Sequence, residues 1–158
     1  MAIYLKIGDI EGNVTSAGHE GWIECNSMAF GGGRAIPMAV GRQTNREASH
    51  PSVSEVTLSK MMDDSSPYLF QESVVGESKP VQIHVTKTGP NQLESVVEYT
   101  LDSALISSYS VSSGGDQPSE SLSINFTKIE MKYVVWDEAH SQSSQVPISY
   151  DLATAQSS

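Results

Sequence analysis

The chain has 158 residues, with 19 aspartates and glutamates against 9 lysines and arginines, and a formal net charge of -10 at pH 7. Phosphate binding requires a surplus of lysine and arginine, so this balance argues against a nucleic-acid partner. No apolar run approaches the ~20 residues that span a membrane, so no membrane insertion is expected, and the length favours one domain, residues 1–158, with its own core.

The first residues show no cationic region followed by an apolar core, so we expect no ordinary signal peptide. Cys25 is the only cysteine of the chain, which excludes an internal disulfide and fits a reducing cytoplasm. If the protein leaves the cell, we expect it to use a route that needs no signal peptide.

Alternation of apolar and polar residues predicts a chain made mostly of strands. The first strand carries Ile3, Leu5 and Ile7 on one face. The second runs from Trp22 to Phe30, and one of its faces is assigned to Ile23, Cys25, Ser27 and Ala29. Further strands are predicted over residues 53–58, 81–86, 93–101 and 105–111, the last with Leu105, Tyr109 and Val111 on one face. This pattern is typical of an antiparallel meander, sandwich or barrel.

The segment from Leu122 to Trp136 is predicted to be one long strand. Its apolar residues occupy even positions up to Phe126 and then odd positions, namely Ile129, Met131, Tyr133 and Val135. A phase change of one residue within a strand indicates a bulge, and bulged strands bend around barrels. Two strands separated at Thr127-Lys128 are the alternative, although no glycine or proline marks a turn there.

One helix is predicted after the sequence Asp63-Asp64-Ser65-Ser66. These residues supply a cap and negative charge for a helix N-terminus, while Pro67 fits the first helical position and Gly76 the stop. Its apolar face is expected to consist of Tyr68, Leu69, Phe70, Val74 and Val75.

The stretch from Gly31 to about Pro51 shows no hydrophobic periodicity and holds all three arginines of the chain, Arg34, Arg42 and Arg46. We therefore predict an extended loop over residues 31–52. A segment of ~20 residues without regular structure is uncommon in a small domain, and it is usually functional. Guanidinium groups on an acidic body suggest an arm that reaches another acidic surface, and a second copy of the protein is the obvious candidate. A solvated loop with chance clustering of arginines is the alternative. The tail, residues 141–158, is predicted to be loosely ordered.

Small neutral side chains occupy many positions opposite the predicted core, including Ser108, Ser110, Ser112, Ser123, Asn125 and Thr127. Such side chains leave a surface that another subunit or a passing cargo can approach. The strand propensity of threonine and the tolerance of serine alone are the alternative explanation.

No set of residues predicts catalysis, a metal site or a cofactor. The four histidines lack metal-ligand spacing, Cys25 has no neighbouring cysteine, and scattered histidines that are hydrogen-bonded or solvated are the better interpretation. Gly31-Gly32-Gly33-Arg34 lacks the residues of a phosphate loop, and no hydrolase elbow is present. We therefore do not expect an enzyme.

Several ordered segments resemble the haemolysin-coregulated proteins (Hcp), the tube subunits of bacterial type VI secretion. The strongest is residues 120–130, Glu-Ser-Leu-Ser-Ile-Asn-Phe-Thr-Lys-Ile-Glu, preceded by similar segments at 107–110 and 113–116. Residues 45–47, 54–73 and 150–152 are similar as well, so the resemblance covers nearly the whole chain. Gln117 and Ala39 depart from the arginine and glutamate found in other members.

The resemblance implies a small antiparallel β-barrel of two packed sheets with one flanking helix and a long extended loop. It also implies hexameric rings that stack into a tube, which a contractile sheath expels with a spike protein, and effector proteins carried in the ring lumen. Such a protein is found in the bacterial cytoplasm and is then secreted without a signal peptide.

Two groups of residues are assigned on this basis. The inter-subunit loop would contribute Arg34, Arg42, Asn45, Arg46 and Glu47. The strand residues expected to face the lumen or another subunit are Ser27, Ala29, Ser108, Ser110 and Asn125. The alternatives are a ring-forming effector chaperone or adaptor that builds no tube and, more remotely, a small β-barrel enzyme.

Overall fold

A computed structural model describes residues 1–36, 50–90, 93–139 and 142–157. Within these ranges the chain forms one helix, α1 (Ser66–Val75), and twelve strands. The strands are β1 (Ala2–Ile7), β2 (Ile23–Cys25), β3 (Ser27–Ala29), β4 (Gly32–Gly33), β5 (Ser52–Val53), β6 (Val56–Met61), β7 (Lys79–Thr88), β8 (Leu93–Ser112), β9 (Ser119–Asn125), β10 (Lys128–Trp136), β11 (Gln142–Asp151) and β12 (Gln156–Ser157).

Two antiparallel sheets pack into a barrel, as predicted. The large sheet has the strand order β12-β11-β10-β8-β7-β1-β2, and the small sheet has the order β3-β6-β9-β8. The 20-residue strand β8 belongs to both, since its first half pairs with β7 and β10 and its second half pairs with β9. The buried apolar side chains of both sheets form a common cluster that includes Leu5, Ile23, Leu58, Leu101 and Leu122.

The strand predicted from Trp22 to Phe30 is two strands, β2 in the large sheet and β3 in the small one. The chain changes sheets at Asn26, whose backbone N–H donates to the Ser59 carbonyl at 2.7 Å. Ser27 and Ala29 are therefore exposed, whereas the earlier residues Ile23 and Cys25 are buried. The prediction that all four share one face is wrong, because the change of sheet shifts the phase by one residue.

The prediction of one strand from Leu122 to Trp136 is also wrong, and the two-strand alternative is nearly right. β9 and β10 follow one another along β8, but the ladder opens between them, where the Thr127 N–H donates to the Asp102 carbonyl at 3.1 Å. Of the predicted odd-numbered apolar face, Ile129 is buried, while Met131 and Tyr133 are 41% and 50% exposed.

Strand β8 is continuous, although two strands were predicted there. Ser103, at the predicted break, has a φ of 49°, and the pairing with β9 shifts between Ile106 and Ser108. This shift turns both Ile106 and Tyr109 toward the core, so Leu105 is 45% exposed instead of facing inward with Tyr109.

Helix α1 forms where it was predicted, but most of its apolar side chains are not buried. Leu69 is fully buried, whereas four other apolar side chains are at least 58% exposed, namely Tyr68, Phe70, Val74 and Val75. The expectation of one buried apolar face is therefore wrong, and the helix presents apolar side chains to its surroundings.

The predicted loop and tail are anchored by strands. β4 pairs with β5, so the segment between them leaves and re-enters the barrel at one place. Within the predicted tail, β11 pairs with β10 and β12 pairs with β11.

Candidate assembly surfaces

The outer face of the small sheet is built from small, neutral side chains, and we call it the serine face. One row across its four strands consists of Ser27, Ser59, Ser121 and Ser110. The next row consists of Ala29, Thr57, Ser123 and Ser108. Each strand contributes to this face because its alternate residues, such as Leu58 on β6 and Leu122 on β9, fill the core.

The structure thus brings the five predicted strand residues to one surface. Ser27, Ala29, Ser108 and Ser110 lie in the two rows, and Asn125 is exposed on the same face of β9, next to the Glu55 carboxylate. Thr57, Ser59 and Ser121 complete the rows but were not predicted. Their alternation with Val56, Leu58 and Lys60 in the sequence was the signal that would have placed Thr57 and Ser59 there.

Beside the serine face, a groove of about 350 Å³ separates helix α1 from the end of β8. The helix contributes Pro67 and Phe70, and β8 contributes Tyr109 and Val111. The Phe70 and Tyr109 rings lie 6.0 Å apart, and Phe70 and Val111 are 58% and 52% exposed. We call this surface the helix groove; it is apolar and open.

A buried polar network fixes the floor of the helix groove. The Lys60 ammonium donates to Glu120 Oε1 at 2.6 Å and to Asp63 Oδ1 at 3.1 Å. The Ser66 hydroxyl donates to the same Glu120 oxygen at 2.6 Å, and the Tyr109 hydroxyl donates to the other. Because these residues come from β6, β9, β8 and the first turn of the helix, the network ties α1 to the small sheet.

A second cluster of polar groups lies on the outer face of the large sheet. His84, Glu98 and Lys132 are direct neighbours across β7, β8 and β10, and Lys132 Nζ lies 2.7 Å from Glu98 Oε2. The buried His19 ring covers this row, with its Nε2 2.9 Å from His84 Nδ1. These two histidines lie 65 positions apart in the sequence and meet through the fold.

Burial lowers the pKa of both His19 and His84 below the ordinary value, and the Glu98 carboxylate offsets this only in part. Among the described residues, no group of three or more histidine, cysteine, aspartate or glutamate side chains is arranged to hold a metal ion. We interpret the pair as a packing element that favours neutral imidazoles.

Arg34 is exposed just beyond the β4–β5 pair. The other predicted loop residues, Arg42, Asn45, Arg46 and Glu47, lie outside the described residues.

A family profile described as "Type VI secretion system effector, Hcp" matches residues 4–133. The chain belongs to the Hcp family. This match confirms the resemblance that the sequence segments indicated, and it makes the chain a type VI secretion system protein. No curated protein sequence matches the chain.

Several solved structures share the fold. A type six secretion system protein superposes with a TM-score of 0.90 at 22% identity, over 99% of both chains. Hcp1 from Salmonella typhimurium gives 0.80 at 23% identity, over 99% of this chain and 98% of its own. A type VI secretion system effector from Yersinia pestis gives 0.69 at 22% identity, over 94% and 98%. Within the described part of this Hcp chain, no helix is long and apolar enough to cross a membrane.

Proposed function

We propose that the chain is a structural subunit of the type VI secretion inner tube, which assembles as hexameric rings that stack. The observation that carries the proposal is the small sheet. Its outer face is neutral over four strands, and within the described residues its edges, β3 and the second half of β8, have no further strand partner. The unpaired backbone groups of an exposed strand edge can pair with other chains, and closure of a ring covers these edges.

The ring contact places the two edges of the small sheet beside each other in neighbouring subunits. An interface of this kind joins two different surfaces, and it forms a closed ring when its rotation closes. The helix groove adjoins the β8 edge and supplies the apolar area that a stable contact requires, through Phe70, Tyr109 and Val111.

In such a ring the serine face of every subunit points into the lumen. Small hydroxyl side chains make a wall without charge or bulk, over which an effector protein can be held and released.

The spike protein and the contractile sheath are the further partners of the tube, and the subunit is secreted from the bacterial cytoplasm with it. The proposed role requires no catalysis, metal or cofactor.

The test is a measurement of the mass of the native particle at micromolar protein concentration. We expect a ring of about six subunits, and a monomer of 17.0 kDa as the only species would contradict the proposal. The variant Val111→Asp should give monomers, because a carboxylate in the helix groove would be desolvated by the contact.

Val146→Asp is the matched control, since Val146 on β11 is 53% exposed and lies outside the groove. If Val146→Asp dissociates the ring and Val111→Asp does not, the protein forms a ring but the subunits contact each other elsewhere.

A ring-forming adaptor would give the same mass, so the second measurement is secretion. A tube subunit appears in the culture medium only when the sheath contracts.

A further inference from the structure

Residues 13–21, between β1 and β2, form a loop that lies against the outer face of the large sheet, and we call it the histidine loop. Backbone hydrogen bonds close its neck, because the Gly12 N–H donates to the Gly21 carbonyl at 2.8 Å and the Gly21 N–H donates to the Val14 carbonyl at 2.8 Å. Within the loop, all of which the structure describes, His19 alone is buried. His19 is therefore the side chain that anchors the loop to the sheet.

Two consecutive tight turns place His19 against the sheet. The His19 N–H donates to the Ser16 carbonyl at 3.0 Å, and the Trp22 N–H donates to the His19 carbonyl at 3.0 Å, so His19 ends one turn and begins the next. The third residues of these turns, Gly18 and Gly21, have φ angles of 85° and 78°. Glycine adopts this left-handed conformation without strain, and the sequence Gly-His-Glu-Gly thereby fixes the position of the imidazole.

Other rings enclose the imidazole of His19. Its centroid lies 5.0 Å from that of Tyr4, 4.8 Å from that of Trp22 and 5.1 Å from that of His84. Its Nε2 lies 2.9 Å from His84 Nδ1, and a hydrogen bond between two imidazole nitrogens requires that one of them carries a proton and the other does not. Its Nδ1 is buried and has no hydrogen-bond partner within the described residues. The closed loop therefore fits neutral imidazoles.

Protonation disrupts this arrangement in two ways. A proton on each ring brings two N–H groups face to face at the 2.9 Å contact, where neither can accept a hydrogen bond. A proton on His19 also gives its buried Nδ1 an N–H without an acceptor, and burying an unpaired polar group is costly. Because water reaches both rings when the loop opens, acid favours the open loop.

The charged and titratable groups around the pair come from every neighbouring element. Glu98 on β8 favours the charged form of both rings, and Glu20 of the loop favours that of His19. Lys132 on β10 opposes the charged form of His84. Burial is the largest influence on each ring and lowers the pKa of both, so the carboxylates offset it only in part. The remaining titratable groups on this face belong to β1 and β2, namely Tyr4, Lys6 and Glu24.

We propose that the histidine loop is an acid-sensitive switch, which lies closed on the large sheet at neutral pH and opens at its glycine neck when the His19–His84 pair is protonated. Opening removes the loop from Tyr4 and Trp22, whose side chains are 7% and 8% exposed in the closed form, so acid uncovers aromatic surface. The switch belongs to a single subunit, and it goes beyond the proposed tube function without depending on it.

The test is hydrogen–deuterium exchange measured on the full-length native particle at pH 8 and pH 5, with labelling times scaled to the intrinsic exchange rate at each pH. Peptides that cover residues 13–22 report the loop, and peptides that cover β7 report the sheet. We expect faster exchange of the loop at pH 5, by up to about tenfold per pH unit for each imidazole that gains a proton on opening. β7 should stay protected, and a return to pH 8 should restore the protection of the loop.

Three variants assign the effect to the pair. His19→Phe keeps an aromatic ring in the loop and removes its titration, so its loop should exchange equally slowly at both pH values. His50→Gln is the matched control, because His50 is exposed, and its loop should open at pH 5 like that of the wild type. Glu98→Gln should enlarge the ratio of loop exchange at pH 5 to that at pH 8, because it removes the carboxylate that favours the charged rings. A purely structural role of Glu98 would raise exchange equally at both pH values.

Equal protection of the wild-type loop at pH 5 and pH 8 overturns the inference, and so does a His19→Phe loop that still opens in acid. If β7 loses protection together with the loop, acid unfolds the whole barrel and the loop is not a separate switch. If His19→Phe does not fold, an unchanged ratio in Glu98→Gln overturns the inference instead. The mass of the native particle, which tests the proposed function, is measured separately from all of these outcomes.

Discussion

Lys60 Nζ lies 2.6 Å from Glu120 Oε1, and both side chains are completely buried. A charge of this kind is stable in the interior only with its partner, because burying an unpaired charge is costly. The pair has further partners in Asp63, Ser66 and Tyr109, so the charges are hydrogen-bonded on several sides.

We expect Lys60→Met to lower the free energy of unfolding by about 3–5 kcal/mol, since it strands the Glu120 carboxylate in the core. Chemical denaturation followed by tryptophan fluorescence measures the change. The double variant Lys60→Met, Glu120→Leu should recover much of the loss, because it removes both charges. A single variant as stable as the wild type would contradict the expected cost of the stranded charge.

The His19–His84 pair predicts a dependence of stability on pH. Burial lowers the pKa of both imidazoles in the folded state, so below the ordinary value of 6.5 the unfolded chain binds more protons than the folded chain. Stability is therefore complete above about pH 6.5, and it falls as the pH drops from there through the folded pKa values. The free energy of unfolding changes by at most about 1.4 kcal/mol per pH unit for each additional proton that the unfolded chain binds.

Thermal unfolding between pH 5 and pH 8 tests this expectation. The charged groups that act on the pair are Glu20, Glu98 and Lys132. His84→Gln should flatten the profile, because it removes one titrating group and the imidazole pair. His50→Gln is the control for loss of a histidine outside the pair, because His50 is exposed. An equal slope in wild type and His84→Gln would assign the pH dependence to other groups.

Cys25 offers a direct measure of opening of the barrel. Its side chain is 4% exposed, and burial raises the pKa of the thiol to about 12. The thiolate is the reactive form, so we expect no reaction with a disulfide reagent at pH 8 under native conditions. The thiol should become reactive in parallel with the loss of fluorescence as denaturant is added. Rapid labelling of the native protein would show that the β2–β3 corner opens locally.

Much of the strand content was predictable, because alternation along a strand depends on local sequence. The three residues Ile3, Leu5 and Ile7 mark β1, and their partners Val81 and Ile83 mark β7 in the same way.

The corners, where the chain passes from one sheet to the other, were not predictable. At Asn26 and at Thr127 the chain passes between sheets, and that change is dictated by the partner strand and is marked by no glycine or proline in the sequence.

The assembly surfaces were predictable to different extents. Serines at alternate positions of β8 indicated the serine face, but its four-strand width depends on long-range register. The helix groove was hidden, since Phe70 looked like a core residue in a helical pattern. Only the fold shows that Leu69 fills the available core space and leaves Phe70 outside.

The serine face yields the last prediction, which separates cargo binding from assembly. Ser121 lies in the middle of the face, is exposed, and pairs with Ser59 and Ser110 on either side. Ser121→Arg adds bulk and charge to the proposed lumen wall without entering the core. We expect the variant to form rings of normal mass and to lose co-purifying effector proteins, because six guanidinium groups would crowd the lumen. Gln82→Arg on the exposed outer face of β7 is the matched control and should retain them. If Ser121→Arg keeps its effectors while Gln82→Arg loses them, the lumen lies on the other side of the barrel.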